Sequence, residues 1–205
     1  MRTVRLCAKT PHGFIQYQCM TIFTDVRRIN DYCDQEYFNN LCKAGCPNFG
    51  KKWSCPPFAP DYLDYTHKYE KILIVVLQIK LNQLSYIKQN YLKVKAANSV
   101  LKSRVDKALR SSMKESEYYI STGSCRLCKP CKCKIGESCA HPLKKTYSFE
   151  SLGINVSALS KELFDVELQW YRKDFLPEYT CVVAGLLTNI DNPENIFIES
   201  LKVLS

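Results

Sequence analysis

Lys71-Ile72-Leu73-Ile74-Val75-Val76-Leu77-Gln78-Ile79 is apolar at both odd and even positions. A strand with one wet face alternates apolar and polar residues, and this one does not. It predicts an interior strand of a sheet covered on both sides. Upstream, Ile15 to Phe23 is rich in β-branched and aromatic residues and reads as a second strand. Downstream, Leu84, Ile87, Tyr91, Val94, Leu101, Val105 and Leu109 recur at three- or four-residue steps, with Ala97 and Ala108 in the stripe. That spacing predicts an amphipathic helix. Asp31 to Cys42 and Asp61 to Tyr69 read as shorter helices. Asn155 is a suitable N-cap for a helix from Val156 to Phe164. Tyr118 to Thr122, Asp165 to Tyr171 and Tyr179 to Thr188 read as strands. The expected fold is α/β or α+β: a layered sheet-and-helix core in a single domain over 1–205. Two irregular, cysteine-rich metal-binding loops interrupt it at about 42–60 and 123–142.

The chain has 205 residues, 46% hydrophobic, with twelve cysteines, too long for a disulfide-stapled mini-domain. The opening Met1-Arg-Thr-Val-Arg-Leu-Cys7 has no apolar core segment, and the run from Ile72 to Ile79 is too short to cross a bilayer. A cytoplasmic protein without a membrane partner is expected. In a reducing compartment, clustered cysteines read as metal ligands or redox groups rather than disulfides. No Walker loop, dinucleotide-binding glycine fingerprint, zinc-protease motif or nucleophile elbow is present.

Five cysteines fall within fifteen residues: Cys125-Arg-Leu-Cys128-Lys-Pro-Cys131-Lys-Cys133, then Cys139-Ala-His141-Pro142. Thiolates spaced by two residues, with a more distant Cys, are close to the way bacterial ferredoxins hold an iron–sulfur cluster. Cys125, Cys128, Cys131 and Cys139 can supply the four sulfurs of a [4Fe-4S] cluster, with Cys133 as a spare or a substitute for one of them. The competing reading is zinc on Cys125, Cys128, Cys139 and His141. Upstream, Cys42, Cys46 and Cys55 form a trio stiffened by Pro47, Pro56 and Pro57. This trio either holds a second cubane with one iron lacking a cysteine ligand, or shares ligands with the first group. Cys33 is the nearest fourth candidate. One or two clusters are therefore expected. Cys7, Cys19 and Cys181 read as buried packing residues.

Cys46-Pro-Asn-Phe-Gly-Lys-Lys-Trp53-Ser-Cys55-Pro-Pro-Phe, then Gly123-Ser-Cys125-Arg-Leu-Cys128, Cys139-Ala-His-Pro and Ser148-Phe-Glu150-Ser-Leu-Gly153-Ile-Asn155-Val resemble an uncharacterised bacterial and archaeal family. That family is described only as predicted metal-binding proteins. The resemblance spans Cys42 to Val156 and implies a cysteine-rich metal protein without supplying a reaction. Two departures stand out: Asn155 where Asp is usual, and the extra Cys133.

The net charge is +9, and eight Lys or Arg residues against Asp106 lie on the basic helix 84–114. This face reads as a solvated lysine-rich surface, a dock for an acidic redox partner, or, with less support, a nucleic-acid surface. Trp53 is placed to shield a cluster or to pack. Glu150 reads as a turn carboxylate, or as a base beside the metal. Lys51 and Lys52 read as a solvated pair, or as holders of an anionic substrate. Three functions follow: electron transfer through one or two clusters, an enzyme using an open iron as Lewis acid (for example in desulfuration), and a zinc-stabilised binding protein.

Overall fold

In the computed structural model, residues 1–115 and 117–204 are described. Among them, β1 (Arg2–Thr10), β2 (Gly13–Asp25), β3 (Lys71–Lys80), β4 (Tyr118–Ile120) and β5 (Tyr179–Thr188) form one sheet in the order β1-β2-β3-β5-β4. Every neighbouring pair is antiparallel, so the fold is α+β. The helices are α1 (Gln35–Gly45), α2 (Tyr62–Thr66), α3 (Asn90–Ser112), α4 (Val156–Phe164) and α5 (Pro193–Val203).

β3 is the central strand, and its pattern sets the layers. Side chains alternate across a strand, so Leu73, Val75, Leu77 and Ile79 meet Ala97, Leu101 and Val105 of α3 and Phe197, Ile198 and Leu201 of α5. Ile72, Ile74 and Val76 point the other way, among Tyr62, Phe149, Leu152, Leu159 and Phe164. Ile72 through Leu77 are all 0% exposed. Burying a Val, Leu or Ile side chain contributes about 1.5–3 kcal/mol, so this strand anchors both layers. On β5, Gly185 leaves room on the second face: a Cβ there would stand 3.1 Å from Phe149 Cζ.

Several sequence boundaries move. The long helix starts at Asn90, because Leu84 and Ile87 belong to a preceding 3-10 turn over Leu81–Leu84 and its exit. The first helix starts after Asp34, whose carboxylate accepts from Tyr37 N–H at 3.0 Å. Asp165 to Tyr171 is not a strand. It lies beside the start of β5 and bonds through side chains instead of a ladder: the Tyr179 hydroxyl donates to Glu167 O at 2.7 Å, and Gln169 Oε1 accepts from Glu178 N–H at 2.8 Å. β1 and α5 were not foreseen. The helix at Val156–Phe164 is found as expected, with Asn155 Oδ1 accepting from Ala158 N–H at 3.0 Å. No helix among the described residues is long and apolar enough to cross a membrane.

Candidate metal centre

The first cysteine loop begins on the last turns of α1. Cys42 and Cys46 are four residues apart on adjacent turns, and Cys46 N–H closes the helix by donating to Cys42 O at 3.0 Å. The chain then turns back on itself: Gly50 N–H donates to Pro56 O at 2.9 Å, and Phe58 N–H to Cys55 O at 2.9 Å. This folding returns Cys55 to the helix end. Burial, the neighbouring Cys46 sulfur with its hydrogen bond, and the Glu150 carboxylate all push the Cys42 thiol up. Burial also pushes the Cys55 thiol up, to about 11, against the opposing pull of the Ser54 hydroxyl and the Lys52 charge. Cys42, Cys46 and Cys55 therefore form one interacting trio, as the sequence spacing suggests.

The second loop leaves β4 through Ser121 and Gly123 and returns at Thr146. Within it Cys128, Cys131 and Cys133 interact. Burial raises the Cys131 thiol, but N–H groups of Trp53 and Cys133, the Cys128 thiol and the Lys52 charge outweigh it and bring the thiol below its ordinary value. Cys133 Sγ lies 3.8 Å from Gly50 O, so the extra cysteine touches the first loop. Among the described residues no hydrogen bond ties Cys139 or His141 to another thiol. Cys33 sits apart, beside Asp61 and Asp34 rather than beside Cys42.

Three residues lock the loops together. Lys52 Nζ donates to Ser124 Oγ at 2.9 Å and to Cys125 O at 3.1 Å. Ser54 Oγ accepts from Cys125 N–H at 3.0 Å while lying 3.9 Å from Cys55 Sγ. Trp53 Nε1 donates to Glu137 O at 2.9 Å, and its ring packs on Phe58 with centroids 4.7 Å apart. Lys52 is thus not a solvated lysine. It is half-buried, and its charge acts on a thiol of each group, whereas Lys51 is exposed. Its role is invisible in sequence, because nothing in the spacing tells two adjacent lysines apart.

The twelve cysteines are all free thiols. In donor chemistry they fit a thiolate-bound metal: soft sulfurs in two neighbouring groups, with a cation between them to offset their charge. Among the described residues, no group of three or more His, Cys, Asp or Glu side chains is arranged to hold a metal ion. The sulfurs are gathered without being drawn onto one point.

An antiparallel sheet with two interlocked cysteine loops defines a cysteine-rich α+β protein. The chain belongs to the family described as predicted metal-binding protein (DUF2284), whose model matches residues 28–187 and includes both loops. The resemblance drawn from the cysteine motifs is borne out by this match. No curated protein and no solved structure matches the chain.

Proposed function

We propose that this metal-binding protein carries one or two [4Fe-4S] clusters and uses them for redox or electron transfer. One observation supports this most: Lys52 and Ser54 hold two groups of free thiols side by side. Cubane clusters take thiolates in sets of this size, and a single structural zinc takes one quartet. Cys42, Cys46 and Cys55 are the residues that would hold one cluster. Cys125, Cys128, Cys131 and Cys139 would hold the other. A bound cluster supplies one-electron redox chemistry.

The chain's own residues tune such a centre. Lys52 offsets the negative charge of the thiolates. The N–H groups of Trp53 and Cys133 point at the Cys131 sulfur, a contact that raises reduction potential. Trp53 and Phe58 pack on each other beside the first loop, and Trp53 also ties that loop to Glu137 of the second. The basic face of α3 suits steering by an acidic redox partner in the cytoplasm, with nucleic acid as the other polyanion that face would attract.

A second reading, an open iron acting as Lewis acid, draws on the trio having three sulfurs and on Glu150, whose charge reaches Cys42. Anaerobic purification followed by iron and acid-labile sulfide counts and an absorption spectrum tests the proposal. The expected result is a brown protein with about four or about eight irons per chain. Stoichiometric zinc without sulfide overturns it. A reduced-state electron paramagnetic resonance spectrum that changes on adding cyanide selects the open-iron reading.

A further inference from the structure

α3 and the loop from Ser121 to Leu127 line an open cavity of about 340 Å³. Lys102, Lys107, Arg110 and Arg126 line it against one carboxylate, Asp106. That carboxylate is already engaged: Oδ2 accepts from Arg110 Nε at 3.2 Å, and Oδ1 accepts from the Tyr119 hydroxyl at 2.5 Å. Among the described residues no carboxylate forms an ion pair with Lys102, Lys107 or Arg126. Hydroxyls of Ser99, Ser103 and Thr122 reach the same space. Lys102 is half-buried and within electrostatic reach of Arg126, with the Glu150 carboxylate offsetting part of that repulsion, so two like charges share a concave wall that carries net positive charge. Such an arrangement lowers its free energy by taking in an oxyanion, and hydroxyls beside fixed cations suit a phosphoryl group.

A second cavity of about 400 Å³ adjoins the first, with Lys102 and Thr122 lining both. Its walls include Tyr91, Trp170 and Tyr171. Trp170 is 65% exposed, and the Tyr91 and Tyr171 rings lie 5.7 Å apart. Aromatic faces left open to water beside a cationic pocket are platforms on which a planar ring stacks. Both cavities have the size of small-molecule sites, roughly 300–1,000 Å³. Glu150 lines the aromatic cavity and also acts on Cys42, so this cleft borders the trio of thiols.

We propose that the two cavities form one binding site for a small molecule that joins a phosphoryl group to a planar ring, the chemical class of a nucleotide. The phosphoryl group sits against Lys102 and Arg126, and the ring stacks among Tyr91, Trp170 and Tyr171. A small molecule fits better than a nucleic-acid strand, because these cations line a concave recess between α3 and the Gly123 loop rather than a flat stripe.

The test is a titration of the full chain, as purified, with adenosine 5′-monophosphate, read by tryptophan fluorescence. Inorganic phosphate, adenosine and a single-stranded oligonucleotide form separate arms. The expected result is saturable binding of the nucleotide, with phosphate and adenosine each weaker by about tenfold or more. Lys102→Ala weakens nucleotide binding by about tenfold or more, with its thermal midpoint and metal content unchanged. Trp170→Phe removes most of the fluorescence change. Absence of saturable binding, equal affinity in Lys102→Ala, phosphate binding as tightly as the nucleotide, or oligonucleotide affinity that grows with length overturns the proposal. Metal content is measured on the same samples, so the iron reading stands or falls separately.

Discussion

Gln35 and Gly153 meet so closely that a Cβ on the glycine would stand 2.8 Å from the Gln35 Cα. The glycine has φ +82°, in the left-handed region. Two backbone bonds reinforce the contact: Asp34 N–H to Gly153 O, and Asn155 N–H to Tyr32 O, both 2.8 Å. The start of α1 is therefore pressed onto the Glu150–Leu152 turn, and α1 carries Cys42 and Cys46 at its far end. The positions of Cys42 and Cys46 thus depend on a glycine more than a hundred residues away in the chain.

Gly153→Ala strains the backbone and drives a methyl group into another backbone. A loss of about 2–4 kcal/mol is expected, read as a lower urea midpoint together with reduced metal retention. A midpoint equal to the native one would show that α1 can shift without cost.

Asn155 caps α4 through its side-chain oxygen. Asn155→Ala is expected to lose about 1 kcal/mol, and Asn155→Asp a few tenths at most, since both residues cap well. Thermal midpoints of the two variants decide it. On this view position 155 serves as a helix cap, and a large change of metal content in Asn155→Asp would contradict that.

Lys52→Met removes the donor that joins Ser124 and Cys125 O to the first loop. The expected cost is about 1–3 kcal/mol, as for a hydrogen bond from a charged group in a half-buried place. Lys51→Met, on the exposed neighbour, should change stability by no more than about 0.5 kcal/mol. Equal effects in urea unfolding would refute the bridging role.

Cys128→Ala should lose one metal centre, while Cys7→Ala should keep the full content. Cys128 contacts Cys131, whereas Cys7 lies on β1 opposite Gln16. Metal per chain in the two proteins is the readout, and equal loss in both would void the ligand assignment.

Burial pushes the Cys19 thiol up to about 12 from 9.0. The folded state keeps this proton where the unfolded chain releases it. The stability it contributes is fully present below pH 9 and is lost as pH rises toward 12. The slope is about 1.4 kcal/mol per pH unit in that window. Urea unfolding of metal-free protein at several alkaline pH values should show a shallower decline for Cys19→Ala than for the native chain.

How far the sequence reveals this molecule differs by element. β3 was legible because burial on both faces leaves no alternation, and α4 because Asn155 precedes an apolar helical run. β1 was not, because it is an edge strand with mixed burial whose Arg2, Arg5 and Lys9 mask any pattern. α5 was missed although Pro193 stands at its first turn; its short apolar set gains meaning only against β3 and α3. The trio Cys42, Cys46 and Cys55 was readable from spacing. Cys139 reads from spacing as the fourth ligand of the second group, but loop geometry rather than period decides its neighbours. The cavity beside α3 was hidden for another reason: the basic stripe was visible, but the wall that makes it concave comes from Ser121 to Leu127.

The sheet order has a consequence for biosynthesis. β3 finds its second partner in β5, with Leu73 opposite Leu186, and both the α3 segment and the second cysteine loop lie in the intervening chain. During synthesis the central strand therefore waits, half unpaired, until nearly the whole sheet has been made. Closing so long a connection is slow relative to local helix formation. The thiols of the second loop therefore leave the ribosome before β5, the strand that completes the sheet, and can meet the first loop, already made, through Lys52, Trp53 and Ser54.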